Sequence, residues 1–157
     1  MARFKNALPT DLIKEFENLN INAEKMIGEM TEAGAKRVEQ NIKANAPKGI
    51  KEENEIMGRL KVSRTYKTPS DGGINTKVAF YYGENDENAY FENKEGQKVA
   101  IPMLLNAYEY GKSQQRKTKK GANRGKFPKQ PFLRKSFRKK EIEGVMLNVQ
   151  DKYIKGD

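Results

Sequence analysis

The sequence predicts an α+β domain: a small antiparallel β-sheet packed by a long N-terminal helix and a C-terminal helix, with a long basic loop before the last helix. Three observations predict it. Apolar residues recur at three- and four-residue steps near both ends, and short alternating stretches rich in β-branched and aromatic residues occupy the middle. Between the last such stretch and the final helical pattern lies a run of Lys, Arg and Gly with no apolar period. At 157 residues the chain fits one domain, residues 1–157.

Taken in order, Pro9 to Asn18 reads as a short helix that Asn20 and Asn22 interrupt. A longer helix follows over Ala23 to Asn45, with Met26, Ile27, Met30, Gly34, Val38 and Ile42 on one face and Glu24, Lys25, Glu32, Lys36 and Glu39 opposite. Pro47 and Gly49 end it. The acidic stretch Lys51 to Glu55 reads as a loop. A strand is expected from Gly58 to Tyr66, a turn at Pro69 to Gly73, and a second strand at Ile74 to Tyr82, together a hairpin. Glu84 to Glu95 is an acidic, Asn-rich connection, followed by a short strand at Lys98 to Pro102. Met103 to Tyr110 forms a helical turn or two that ends at Gly111. Lys112 to Gln130 is the basic loop. After Pro131, a final helix runs over Phe132 to Tyr153, with Leu133, Phe137, Ile142, Met146, Val149 and Tyr153 toward the core.

Charge is concentrated rather than spread. The net charge is +10, and 13 of the 31 basic residues fall between Lys112 and Lys140 with no acid among them, so the remainder of the chain is slightly acidic. Those in the loop are Lys112, Arg116, Lys117, Lys119, Lys120, Arg124, Lys126 and Lys129. The acidic connection supplies Glu84, Asp86, Glu87, Glu92 and Glu95 as a complementary surface on a neighbouring subunit. Unlike surfaces of this kind close a ring head to tail.

The sequence has no cysteine and no histidine. That excludes disulfides and thiolate chemistry and removes the commonest general base and transition-metal ligand. No catalytic residue, cofactor or metal ligand is assigned, and the chain is expected not to be an enzyme. Other patterns fail on inspection. Gly121 to Lys126 is one residue short of a phosphate loop, and Phe127 stands where Ser or Thr is required. Asp71, Glu92 and Lys94 could be read as a metal-dependent nuclease set, but Asp71 lies in a Gly-rich turn where Asp serves the backbone. Glu84, Asp86, Glu87 and Asn88 lack the ligand spacing of a calcium loop. Tyr81, Tyr82, Tyr108 and Tyr110 are either interface anchors or ordinary half-buried packing. No apolar run approaches bilayer length, and no membrane partner is expected.

Two segments carry a likeness. Ala44-Asn45-Ala46-Pro47, followed by Gly58-Arg59-Leu60-Lys61-Val62-Ser63, is one. Glu109-Tyr110-Gly111, then the basic stretch, then Pro131-Phe132-Leu133-Arg134 is the other. In this order they resemble the gene-product-ten-like family of siphophage neck and tail-completion proteins, over roughly Glu24 to Asn148. The basic insert is longer than that family shows. The resemblance implies a structural virion protein assembled in the host bacterial cytoplasm, forming a six-fold ring at the neck. Its implied partners are other copies of itself, the head-connector proteins, the tail-tube or terminator proteins, and packaged DNA in passing. The alternatives are a basic nucleic-acid-binding module and, behind it, the nuclease. Interleaved aromatics are missing between Ser113 and Lys126, which argues against a single-strand stacking platform.

Overall fold

The computed structural model describes residues 10–52, 54–70, 72–82, 89–92, 96–111 and 127–155. It is α+β, as the sequence predicts. The first element is a single helix, α1, Thr10–Asn45, of 36 residues, or about 54 Å at the standard rise. The expected interruption at Asn20 and Asn22 does not occur. Asn costs a helix at most about 0.7 kcal/mol relative to Ala, too little to stop one flanked by good helix formers. The C-terminal part of the predicted apolar stripe is the part that packs: Val38 and Ile42 are buried, and so are Ala35 and Ala46, which the stripe did not include. Toward the other end Leu19, Ile21 and Ile27 are exposed.

Where an acidic loop is expected, the chain makes two short helices, α2 (Lys48–Lys51) and α3 (Asn54–Gly58). The reason is burial: each carries one isoleucine, Ile50 and Ile56, that solvent does not reach at all. Pro47 starts the first of them, its carbonyl accepting from Ile50 N and Lys51 N.

The hairpin is present but kinked. β1 (Leu60–Val62) pairs antiparallel with β4 (Val78–Phe80), and β2 (Tyr66–Lys67) with β3 (Ile74–Asn75), in the registers Lys61 to Ala79 and Tyr66 to Asn75. Between them the Thr65 and Thr76 hydroxyls meet at 3.0 Å, and Thr76 meets Thr31 of α1 at 3.1 Å. Those hydroxyls turn toward the helix, which divides the ladder. At the tip, Gly72 takes φ 67°, and its N–H donates to Thr68 O. A third ladder joins β5 (Tyr90–Glu92) to β6 (Lys98–Ala100). Part of the expected acidic connection is therefore a strand, because Phe91 enters the core. Among the described residues there are thus three two-stranded ladders instead of one sheet.

Helix α4, Ile101–Tyr110, carries Pro102 in its first turn and ends at Gly111 with φ 71°. The predicted final helix is divided into α5 (Leu133–Ser136) and α6 (Lys139–Lys155). Asn41 of α1 is responsible. Its side-chain amide donates to Ser136 O at 3.1 Å, and Arg138 N reaches the same carbonyl at 3.0 Å. That carbonyl is thereby withdrawn from a continuing helix. Phe137, expected in the core, is 62 % exposed at the break. No residue of α6 is fully buried; Ile142, Met146, Val149 and Tyr153 are half-buried, and a Cβ added at Gly34 of α1 would stand 3.2 Å from Met146.

One core joins these parts: Val38, Ile42, Ala46, Ile50, Ile56, Leu60, Phe91, Ile101, Leu105 and Phe132. Among the described residues no helix is long and apolar enough to cross a membrane.

Candidate assembly site

Glu109 sits one residue before the end of α4, turned inward and 3 % exposed. A buried carboxylate requires compensation, and α5 supplies it. Phe132 N and Leu133 N each donate to Oε2 at 2.9 Å, while Arg134 N and Arg134 Nε donate to Oε1 at 3.2 and 3.1 Å. Burial opposes the charge, but the bonds from Leu133, Arg134 and Phe132 outweigh it and hold the carboxyl below its ordinary range. The three N–H groups belong to a helix start, whose first donors have no partner within the helix. The Glu-Tyr-Gly and Pro-Phe-Leu-Arg motifs are thus two halves of one clasp.

The remaining motif residues extend it. Arg134 lies over the Tyr110 ring at 5.0 Å, and both side chains face solvent. Gly111 closes against the returning chain, so that an added Cβ would stand 3.1 Å from Phe127 O and from Lys129 N. Gln130 N donates to Tyr108 O at 2.8 Å, and the Phe127 ring meets Tyr108 edge-on at 4.9 Å. Pro131 is half-buried and Phe132 is 1 % exposed. Leu133 packs at the edge of the core.

Of the basic residues, Lys129 is exposed beside Gly111; Lys112, Arg116, Lys117, Lys119, Lys120, Arg124 and Lys126 lie outside the described residues. So do Glu84, Asp86, Glu87 and Glu95, as well as Asp71 and Lys94. Glu92 is exposed on β5. Among the described residues no group of three or more acidic side chains is placed to hold a metal ion. Of the four tyrosines singled out above, Tyr82 and Tyr108 are half-buried and pack against the core, whereas Tyr81 and Tyr110 are exposed.

Sequence reasoning missed the support behind the clasp. Ser136 is fully buried, donates to Phe132 O at 2.5 Å and accepts from Asn45 Nδ2 at 3.1 Å. Glu141 receives Arg37 and Asn41 of α1 and Arg138 beside it. Asn41 and Asn45, one turn apart near the buried stripe of α1, were the available signal.

The family described as "Bacteriophage HK97-gp10, putative tail-component" matches residues 10–90, just over half of the chain. The chain belongs to this family. The match spans α1 through the start of β5 and includes both parts of the first resemblance, Ala44 to Pro47 and Gly58 to Ser63. The clasp of this HK97-gp10-like protein lies beyond the matched residues. Comparisons with curated proteins and with solved structures return no match.

Proposed function

We propose that this chain is a structural subunit of a tailed-phage or phage-like particle that forms or completes the neck ring between the head connector and the tail tube, with no chemistry of its own. Membership of a phage tail-component family carries this reading. The clasp supports the part concerned with assembly. It holds Gly111 and Phe127 side by side, so the seven basic residues between them are tethered at both ends. A tethered cationic segment reaches a neighbouring subunit at small closure entropy and steers it electrostatically. The acidic run from Glu84 to Glu95 of the next copy is the partner of matching charge.

Native mass measurement of the protein alone and with tails, followed by electron-microscopy class averages of the decorated tails, tests this. A ring at the head-proximal tail end is expected. A persistent monomer that binds duplex DNA and no tail component would replace this reading with that of a basic nucleic-acid-binding module.

A further inference from the structure

One face of the β1–β4 ladder gathers cations that have no acidic partner among the described residues. Lys61 lies opposite Ala79, between the pairs Leu60 to Phe80 and Val62 to Val78. The pairing runs one residue further at each end, since Tyr81 N donates to Arg59 O at 2.9 Å and Ser63 N to Lys77 O at 2.8 Å. Side chains alternate across a strand. Leu60, Val78 and Phe80 belong to the core or pack against it, so Arg59, Lys61, Ser63, Lys77, Ala79 and Tyr81 share the opposite face. Lys61, Lys77 and Tyr81 are exposed there, and Arg59, Ser63 and Ala79 are half-buried.

Neither Arg59, Lys61 nor Lys77 enters an ion pair among the described residues. The Arg59 Nε is buried and meets no hydrogen-bond acceptor there. Lys61 and Lys77 are diagonal neighbours across the ladder, a relation that sets side chains about 7–8 Å apart at their bases. Two ammonium groups within reach of each other, with no acid on the face, oppose the fold slightly instead of supporting it. Their use therefore lies outside the fold.

The make-up of the face selects the partner. A protein contact is built on a desolvated apolar centre, and the centre here is Ala79 and Ser63. The Ser63 hydroxyl is already engaged, donating to Arg64 O at 2.9 Å and accepting from Lys77 N at 2.8 Å. Arg and Lys with a tyrosine hydroxyl beside them are instead the donors that bind phosphate oxygens. One aromatic, Tyr81, does not make a row on which successive bases stack, which points away from single strands. We propose that this face contacts the phosphate backbone of duplex nucleic acid, without regard to sequence, through Lys61, Lys77 and Arg59. The contact goes beyond the neck reading and does not rest on it.

The test is fluorescence anisotropy of a labelled duplex of random sequence, titrated with the full chain over a series of salt concentrations. Log affinity falls linearly with log salt, with a slope of about −0.9 for each phosphate neutralised. Lys61→Gln combined with Lys77→Gln is expected to flatten the slope by about 1.8. Both side chains are exposed, so Tm should stay where it is. The control, Lys98→Gln combined with Lys152→Gln, removes the same charge from exposed lysines on β6 and α6; its slope is expected to match wild type. A wild type that binds no duplex, or two variants that flatten the slope equally, overturns the proposal. So does binding of a polyglutamate peptide in place of the duplex, which would make the partner an acidic protein. Tail assembly is read separately on the same proteins. Assembly without duplex binding removes this proposal alone, and duplex binding without assembly leaves it standing while removing the neck reading.

Discussion

Replacing Glu109 by Ala removes the acceptor for Phe132 N, Leu133 N, Arg134 N and Arg134 Nε at one stroke. Arg134 is mostly exposed and can turn to water, and the Leu133 and Arg134 amides are only partly buried. Phe132 N is buried beside a side chain that solvent scarcely reaches, so its donor is left without a partner. Leaving one buried backbone donor without a partner costs about 1–3 kcal/mol. Against the stability of an ordinary domain, about 5–15 kcal/mol, that is a sizeable fraction. For a chain of this size it corresponds to a fall in Tm of roughly 2–12 °C. Glu109→Gln keeps one acceptor but places an amide donor against the others, and should cost less than Ala. Its diagnostic value lies in acid. The folded carboxyl titrates below its ordinary value of about 4.3, so its contribution is fully present above that value and is lost as pH falls through the folded one. Wild type should therefore lose stability below about pH 4.3, and Glu109→Gln should lose this part of the slope. Glu141 is also held low, by Arg138 first and against some burial, with Arg37 and Asn41 assisting; it titrates in the same window and remains in both proteins. Urea denaturation followed by circular dichroism at pH 7 and in acid reads both quantities. An Ala variant as stable as wild type at pH 7, or an acid slope unchanged in the Gln variant, would refute the clasp as the element that seats α5.

Three further outcomes are expected. Gly111→Ala should destabilise by at least about 1–3 kcal/mol, since φ 71° with ψ 176° is a region open essentially to Gly alone and the new Cβ meets backbone of residues 127 and 129; thermal denaturation reads it. Ser136→Ala leaves the Asn45 amide without its acceptor and should cost about 1–3 kcal/mol in the same assay. Neutralising Lys117, Lys119 and Lys120 together to Gln should leave Tm unchanged while flattening the salt dependence of assembly measured by light scattering; an unchanged salt dependence would remove this segment from the interface.

What could be read from the sequence was local. The stripe from Gly34 to Ile42, the turn at Pro69 to Gly73 and the helix stop at Gly111 each depend on neighbours within a few residues, and each is found. The features that escaped depend on distant partners. The break at Phe137 is made by Asn41, 95 residues before the carbonyl it captures. The helices α2 and α3 exist because Ile50 and Ile56 have a core to enter, and an acidic composition conceals that. The clasp shows the same limit: both motifs stand out in the chain, but nothing within either says that Glu109 turns inward to meet backbone 23 to 25 residues later.

The family match ends at residue 90, yet the core does not. Phe91, Ile101, Leu105 and Phe132 share it with Val38, Ile42, Ile50, Ile56 and Leu60, so the matched half would expose that apolar face if the rest were missing. The second half must therefore return to the first, and the Glu109 carboxylate holds the returning chain at its entry point. Once Gly111 and Phe127 are fixed together, the segment between them is free to vary. Doubling the length of a segment closed between such fixed ends costs only about 0.6 kcal/mol of closure entropy. A long insert between these fixed ends is then cheap for the fold.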